Sequence, residues 1–116
     1  MKQSYKFSDI IVRAKVISLN DTAQYDIFSN LVYPPFKKGS NPKLKVSKLY
    51  KGRLTSKEID LVSYHTLCDY YFEPNKEYIV FISRIDGKLE TSVCAHNFKT
   101  TDITSFAEFK KIDKEK

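Results

Sequence analysis

Cysteine is scarce in this chain, with two in 116 residues. That is too few for the dense disulfide framework of a small secreted scaffold, so counting alone leaves the redox compartment open. Long apolar runs are also missing: no stretch nears the roughly 18 to 20 residues a membrane helix needs. There is no glycine-rich phosphate loop, no HExxH and no Ser-His-Asp set at a known spacing. No Asp or Glu stands out as one of a paired acid and base. We therefore expect no enzymatic activity and no cofactor. The opening "MKQSYKFSDIIVRAKV" lacks the basic, then apolar, then small-residue order of a secretory signal. Either the protein stays where it is made or a leader has been removed. Neither internal repeats nor low-complexity tracts occur.

What is present suits one domain, residues 1–116, with a single core and no staples. Hydrophobic residues make up 41% of the chain and are spread along it rather than blocked. The formal charge is +6. Such a basic surface attracts phosphate, sulfated glycans or acidic proteins without ranking them.

The segment "SDIIVRAKVISL" (8–19) predicts the clearest strand, with Ile10, Val12, Ala14 and Val16 alternating against Ile11, Arg13 and Lys15. An N-terminal segment, 1–7, precedes it. A long irregular loop, 20–41, follows, with a short helical turn allowed by Tyr25, Phe28 and Leu31. "KLKVSKLY" (43–50) alternates until Leu49 falls out of phase, which predicts a bulge near Ser47 or Lys48. "KGR" at 51–53 supplies a turn, "KEIDLVSY" (57–64) a third strand and "EPNKE" a second turn. "YIVFISRI" (78–85) follows, then the Asp-Gly hairpin turn at 86–88 and a last strand, "LETSVCAHNF". Ile103, Phe106, Phe109 and Ile112 recur every three residues, and Ser105 with Glu108 suits a capping box. The expected C-terminal helix and tail occupy 102–116. These elements describe a mainly β fold: a five-stranded antiparallel barrel of the oligonucleotide/oligosaccharide-binding (OB-fold) type with a short C-terminal helix.

Several stretches, in order over roughly residues 8–100, resemble the N-terminal inhibitory domain of the tissue inhibitors of metalloproteinases, a netrin-like module. "SDIIVRAKVISL" is similar to that family's first strand, typically Ala-Asp-Val-Val-Ile-Arg-Ala-Lys. "KLKVSKLYKG" is similar to its second strand, which ends in an aromatic followed by Lys-Gly. "LCDYYFEPNKEYIVFISRIDGKLETSVC" resembles its cysteine loop, "EYL" strand, glycine turn and cysteine-ended strand. The resemblance implies the same barrel by a separate route. It also implies that Cys68 and Cys94 are disulfide positions that receive an N-terminal Cys-x-Cys pair, and no cysteine precedes Ser8 here. Three readings stay open: the donor pair and a leader have been removed, Cys68 bonds Cys94 directly, or both are free thiols.

In that family the terminal cysteine's α-amino group and carbonyl oxygen chelate the zinc of a target metalloproteinase. The resemblance implies a partner-binding ridge of Tyr64, His65, Thr66, Leu67, Cys68 and Asp69, with first-loop contacts from Tyr25, Phe28, Tyr33 and Phe36. Ordinary loop packing is the competing reading for both groups. Met1 lacks a disulfide clamp, so we expect a poor zinc-directed inhibitor. His65, Cys68, Cys94 and His96 form a two-His, two-Cys set of the kind structural zinc uses, although Cys-x-His is shorter than the usual ligand spacing. Surface histidines are the expected alternative, with no metal. The resulting expectation is an exported module, secreted or in the cell envelope, that binds a protein such as a zinc metalloproteinase. An acidic glycan is a further partner class. Single-stranded nucleic acid is the disfavoured alternative, because the lysines are scattered and most aromatics sit in apolar runs.

Overall fold

The computed structural model describes residues 1–19, 42–62, 72–91 and 95–115. Its elements run α1 (Lys2–Phe7), β1 (Ile10–Leu19), β2 (Pro42–Lys51), β3 (Glu58–Asp60), β4 (Glu77–Ile85), β5 (Lys88–Glu90), β6 (Phe98–Lys99) and α2 (Ile103–Glu115). The strands form one antiparallel sheet in the order β3-β2-β1-β4-β5, and β6 also pairs with β4. The fold is mainly β with a short C-terminal helix, as the sequence predicts. Two details differ. Among the described residues there are six strands rather than five, and the sheet does not close, so "barrel" applies only loosely.

The sixth strand comes from splitting the expected last one. Lys88–Glu90 pairs with Ser83–Ile85, and Phe98–Lys99 pairs with Tyr78–Ile79, on the same edge of β4. At Phe81, between these two pairings, side chains take the ladder positions. The Phe81 N–H donates to Asn97 Oδ1 (2.7 Å), and the Phe81 carbonyl accepts from Thr91 Oγ1 (2.6 Å). Asn97 Nδ2 then donates to Thr91 Oγ1 (2.8 Å), which locks the plug. Both polar groups of a buried strand residue are thus satisfied without a neighbouring strand.

The predicted bulge falls where the apolar phase shifts. Arg13 pairs with Lys48 and Ala14 with Val46, leaving Ser47 as the extra residue, its hydroxyl bonded to the Arg13 carbonyl (3.1 Å). At the end of β2, Gly52 turns with φ +86, and a Cβ there would overlap the Asp9 carbonyl oxygen. Glycine lets this turn lie directly on the start of β1. The Asp86–Gly87 hairpin has both residues at positive φ (51 and 77), the conformation a two-residue turn of this hand requires.

Alternation along β1 builds two cores. Ile10, Val12, Ala14 and Val16 face the concave side with Leu44, Ile59, Leu61, Phe72, Tyr78, Val80 and Ile82. Ile11 faces the opposite side with Ile79, Phe81 and Phe98, where both helices cover the sheet through Tyr5 and Phe109. Phe109 is fully buried and touches the rings of Tyr5, Tyr50, Phe81 and Phe98 at centroid distances of 4.8 to 6.1 Å. The threefold pattern of α2 holds for Phe106, Phe109 and Ile112, whereas Ile103 is exposed. The helix also starts one turn before the expected Ser105–Glu108 box. Asp102 is the capping residue, accepting from the Ser105 N–H (3.2 Å) and hydroxyl (2.8 Å). A carboxylate caps better than a hydroxyl here because it also opposes the helix dipole.

Candidate functional site

The ridge residues Tyr64, His65, Thr66, Leu67, Cys68 and Asp69 lie outside the described residues. So do Cys94 and the first-loop aromatics Tyr25, Phe28, Tyr33 and Phe36. His96 is the one member of the four-residue zinc set that is described. Its Nδ1 lies 2.8 Å from Ser4 Oγ, and its backbone is in the left-handed region (φ 64).

That contact belongs to a junction at the chain's start. The segment 1–7 forms a single helical stretch, α1, that the sequence did not signal. Tyr5 is buried on the outer core, and its hydroxyl donates to Asp113 of α2 (2.6 Å). Burial first, and then the neighbouring Asp113 carboxylate, raises the Tyr5 phenol above its ordinary range. Lys51 Nζ donates to the carbonyls of Tyr5 (2.7 Å) and Lys6 (2.8 Å), capping the C-terminal end of α1 with a cation. Ser8 Oγ and its N–H both bond the Ser4 carbonyl. Met1 packs on the outer core together with Ala95. The Met1 side chain is held by this packing, and its carbonyl accepts the Tyr5 N–H (3.0 Å).

A second group of polar residues lies on the outer face. Glu77 accepts from Arg13 (2.9 Å) and from the Thr100 hydroxyl (2.8 Å). The Arg13 hydrogen bond, more than any other cause, holds the Glu77 carboxyl below its usual range. The guanidinium of Arg13 also lies over the Phe106 ring at 5.5 Å, and Lys110 lies over the same ring at 4.7 Å. Register aligns Glu58, Lys45, Lys15 and Glu77 in one row across β3, β2, β1 and β4. Two adjacent lysines are therefore flanked by carboxylates, which balances part of the basic face.

The third group lies where the two sheet edges approach. A groove of about 480 Å³ is lined by residues of the 53–60 segment and by Arg84, Gly87 and Leu89. Arg84 Nη2 donates to the Arg53 carbonyl (3.2 Å), which brings the two guanidinium side chains to one groove. Among the described residues no carboxylate forms an ion pair with either arginine. Sequence reasoning missed this pair because two arginines 31 residues apart, one just after β2 and one near the end of β4, carry no pattern. Asn97 did leave a trace, since asparagine is a poor strand residue inside an expected strand, whereas Thr91 is a favoured one. No group of three or more metal-ligating side chains occurs among the described residues.

No protein-family model matches this chain, and no curated protein matches it.

Proposed function

We propose that this chain is an exported, netrin-like module that binds a protein partner, with a partner surface built around the chain's start. One observation carries the reading. Met1 and Ala95 share an apolar cluster, and Ser4 bonds His96, so the start of the chain lies against the residues that follow Cys94. In the metalloproteinase inhibitors that the sequence resembles, the working terminus is pinned beside the matching cysteine. Here a short helix with polar and apolar contacts holds the start in the corresponding place. A held terminus loses little ordering entropy on binding, which favours use as a contact surface. The β scaffold agrees with the netrin-like expectation, although a shared scaffold does not fix function.

Titrating a zinc metalloproteinase catalytic domain with the protein tests the reading. The expected result is a complex that still admits a small hydroxamate to the zinc, because residues 1–7 hold no cysteine to chelate it. Absence of any complex across several such enzymes removes the proteinase as partner. A second reading, single-stranded nucleic acid on the outer face, is favoured by the opposed cations Arg13–Lys48 and Lys15–Lys45. The flanking Glu58 and Glu77 weigh against it. A steep loss of oligonucleotide affinity with salt is its signature, since each phosphate contact releases counterions.

A further inference from the structure

Residues 47–56 form a wide loop whose neck is a backbone bond from the Val46 N–H to the Lys57 carbonyl (2.6 Å). Before the neck, β2 pairs with β3 over Lys43–Lys45. Past it, no strand pairing joins the two arms of the loop among the described residues. The bulge at Ser47 accounts for the parting, since an extra residue bends a strand and increases its twist. At the tip, Gly52 lies so close to the Asp9 carbonyl that a Cβ there would overlap it. The loop is thus fastened at neck and tip and open between them. The opening is a pocket of about 380 Å³, lined by residues 46–49 and 54–57.

Its composition narrows the choice of occupant. Val46, Leu49 and Leu54 form apolar walls; Val46 and Leu54 also pack on the concave core, while Leu49 stays 40% exposed. Among the described residues that line it, Lys48 and Lys57 are the only charged ones, and none is a carboxylate. The Lys48 ammonium lies over the Tyr50 ring (4.9 Å), so Lys57 is the cation of this opening. Glu58, the next acid along the chain, stands opposite Lys45 in the sheet and is outside the lining. Thr55 and Ser56 add hydroxyls, and Ser56 Oγ accepts the Glu58 N–H (3.1 Å), which leaves its hydrogen for another acceptor. The polar groups, 55–57, are consecutive toward the neck, whereas Leu49 and Leu54 lie toward the tip. Apolar walls with one ammonium and two hydroxyls at one end suit a small amphiphile with a single negative head.

We propose that this loop binds a medium-chain fatty acid. The carboxylate is taken by Lys57 with the Thr55 and Ser56 hydroxyls, and the alkyl chain lies along Leu49 and Leu54. A bare anion would leave the leucines uncovered, and a neutral chain would leave the ammonium without a partner. The site is apart from the chain-start junction and does not rest on the proteinase reading.

Octanoate titrated into the ¹⁵N-labelled full chain tests the proposal by NMR, with octanol, octyltrimethylammonium and acetate as comparisons. We expect millimolar octanoate to shift the amides of Leu49, Leu54 and Lys57. Lys57→Gln should weaken octanoate binding about tenfold, a usual cost for losing one charged hydrogen bond, and leave octanol binding unchanged. Leu49→Ser should weaken both by about tenfold through lost apolar contact. Unchanged amide spectra away from the loop establish that both variants remain folded. The proposal is overturned if millimolar octanoate leaves the loop amides in place, or if acetate or octyltrimethylammonium shifts them with the same affinity. It is also overturned if Lys57→Gln binds octanoate as tightly as the unsubstituted chain.

Discussion

The two faces of this sheet solve the same problem differently. On the outer face two helices cover the strands, aromatic rings converge on Phe109, and Glu77 is shared by Arg13 and Thr100. On the other face the core is equally dry, yet among the described residues the sheet edges meet through one backbone bond and neither Arg53 nor Arg84 forms an ion pair. The covered face spends its polar groups internally, and the seam spends fewer of them. Stability should therefore concentrate on the helix-covered side of the molecule.

The largest expected effect tests that separation. Phe109→Ala removes the ring on which Tyr5, Tyr50, Phe81 and Phe98 pack, and should cost about 3–5 kcal/mol in urea denaturation. Arg53→Ala and Arg84→Ala, on exposed groups at the seam, should shift the same transition by less than about 0.5 kcal/mol. Comparable losses from both sides would break the division. Asn97→Ala should have an intermediate effect, about 1–3 kcal/mol, because it leaves the Phe81 N–H without an acceptor beside a buried strand. Native-state hydrogen exchange at Phe81 gives the sharper reading, since its amide should lose protection while its neighbours keep theirs.

How legible these faces were differs by residue. Partial alternation and β-branched residues made β1 readable, and a one-residue phase shift pointed to a bulge near Ser47 or Lys48, which falls at Ser47, because side-chain period in a strand is fixed at two. Asp86–Gly87 marked its hairpin through backbone sterics alone. The helix of residues 2–7 was not readable: its six residues have too little local pattern to nucleate, and tertiary contacts from Lys51, Asp113 and His96 secure it. The change of partner along the β4 edge was hard to read because Thr91 and Asn97 side chains take the backbone bonds of Phe81, and only Asn97 is a poor strand residue. Of the candidate site, sequence resemblance pointed to the chain's start, whereas the arginine groove arises from bringing Arg53, after β2, against Arg84 of β4. Cys68, Cys94, the ridge and the loop aromatics lie outside the described residues, so their expected roles rest on resemblance.

The smallest effect separates the faces by pH. Glu77 has a lowered folded pKa, first through the Arg13 hydrogen bond. Its contribution is therefore complete above the unfolded carboxylate value of about 4.3 and is lost as pH falls through the folded value. With side chains one third or more exposed, the pair should be worth only about 0.5 kcal/mol after screening. Tyr5 gives the opposite limb. Its pKa is raised by burial and by Asp113, so its contribution is complete below the ordinary phenol value of about 10 and declines as pH rises beyond it. Both limbs belong to the helix-covered face. In urea midpoints measured from acid to alkali, Glu77→Gln should flatten the acid limb and Tyr5→Phe the alkaline one. If either substitution flattened both limbs, the Arg13–Glu77 pair and the Tyr5–Asp113 contact would be one coupled unit rather than two independent contributions.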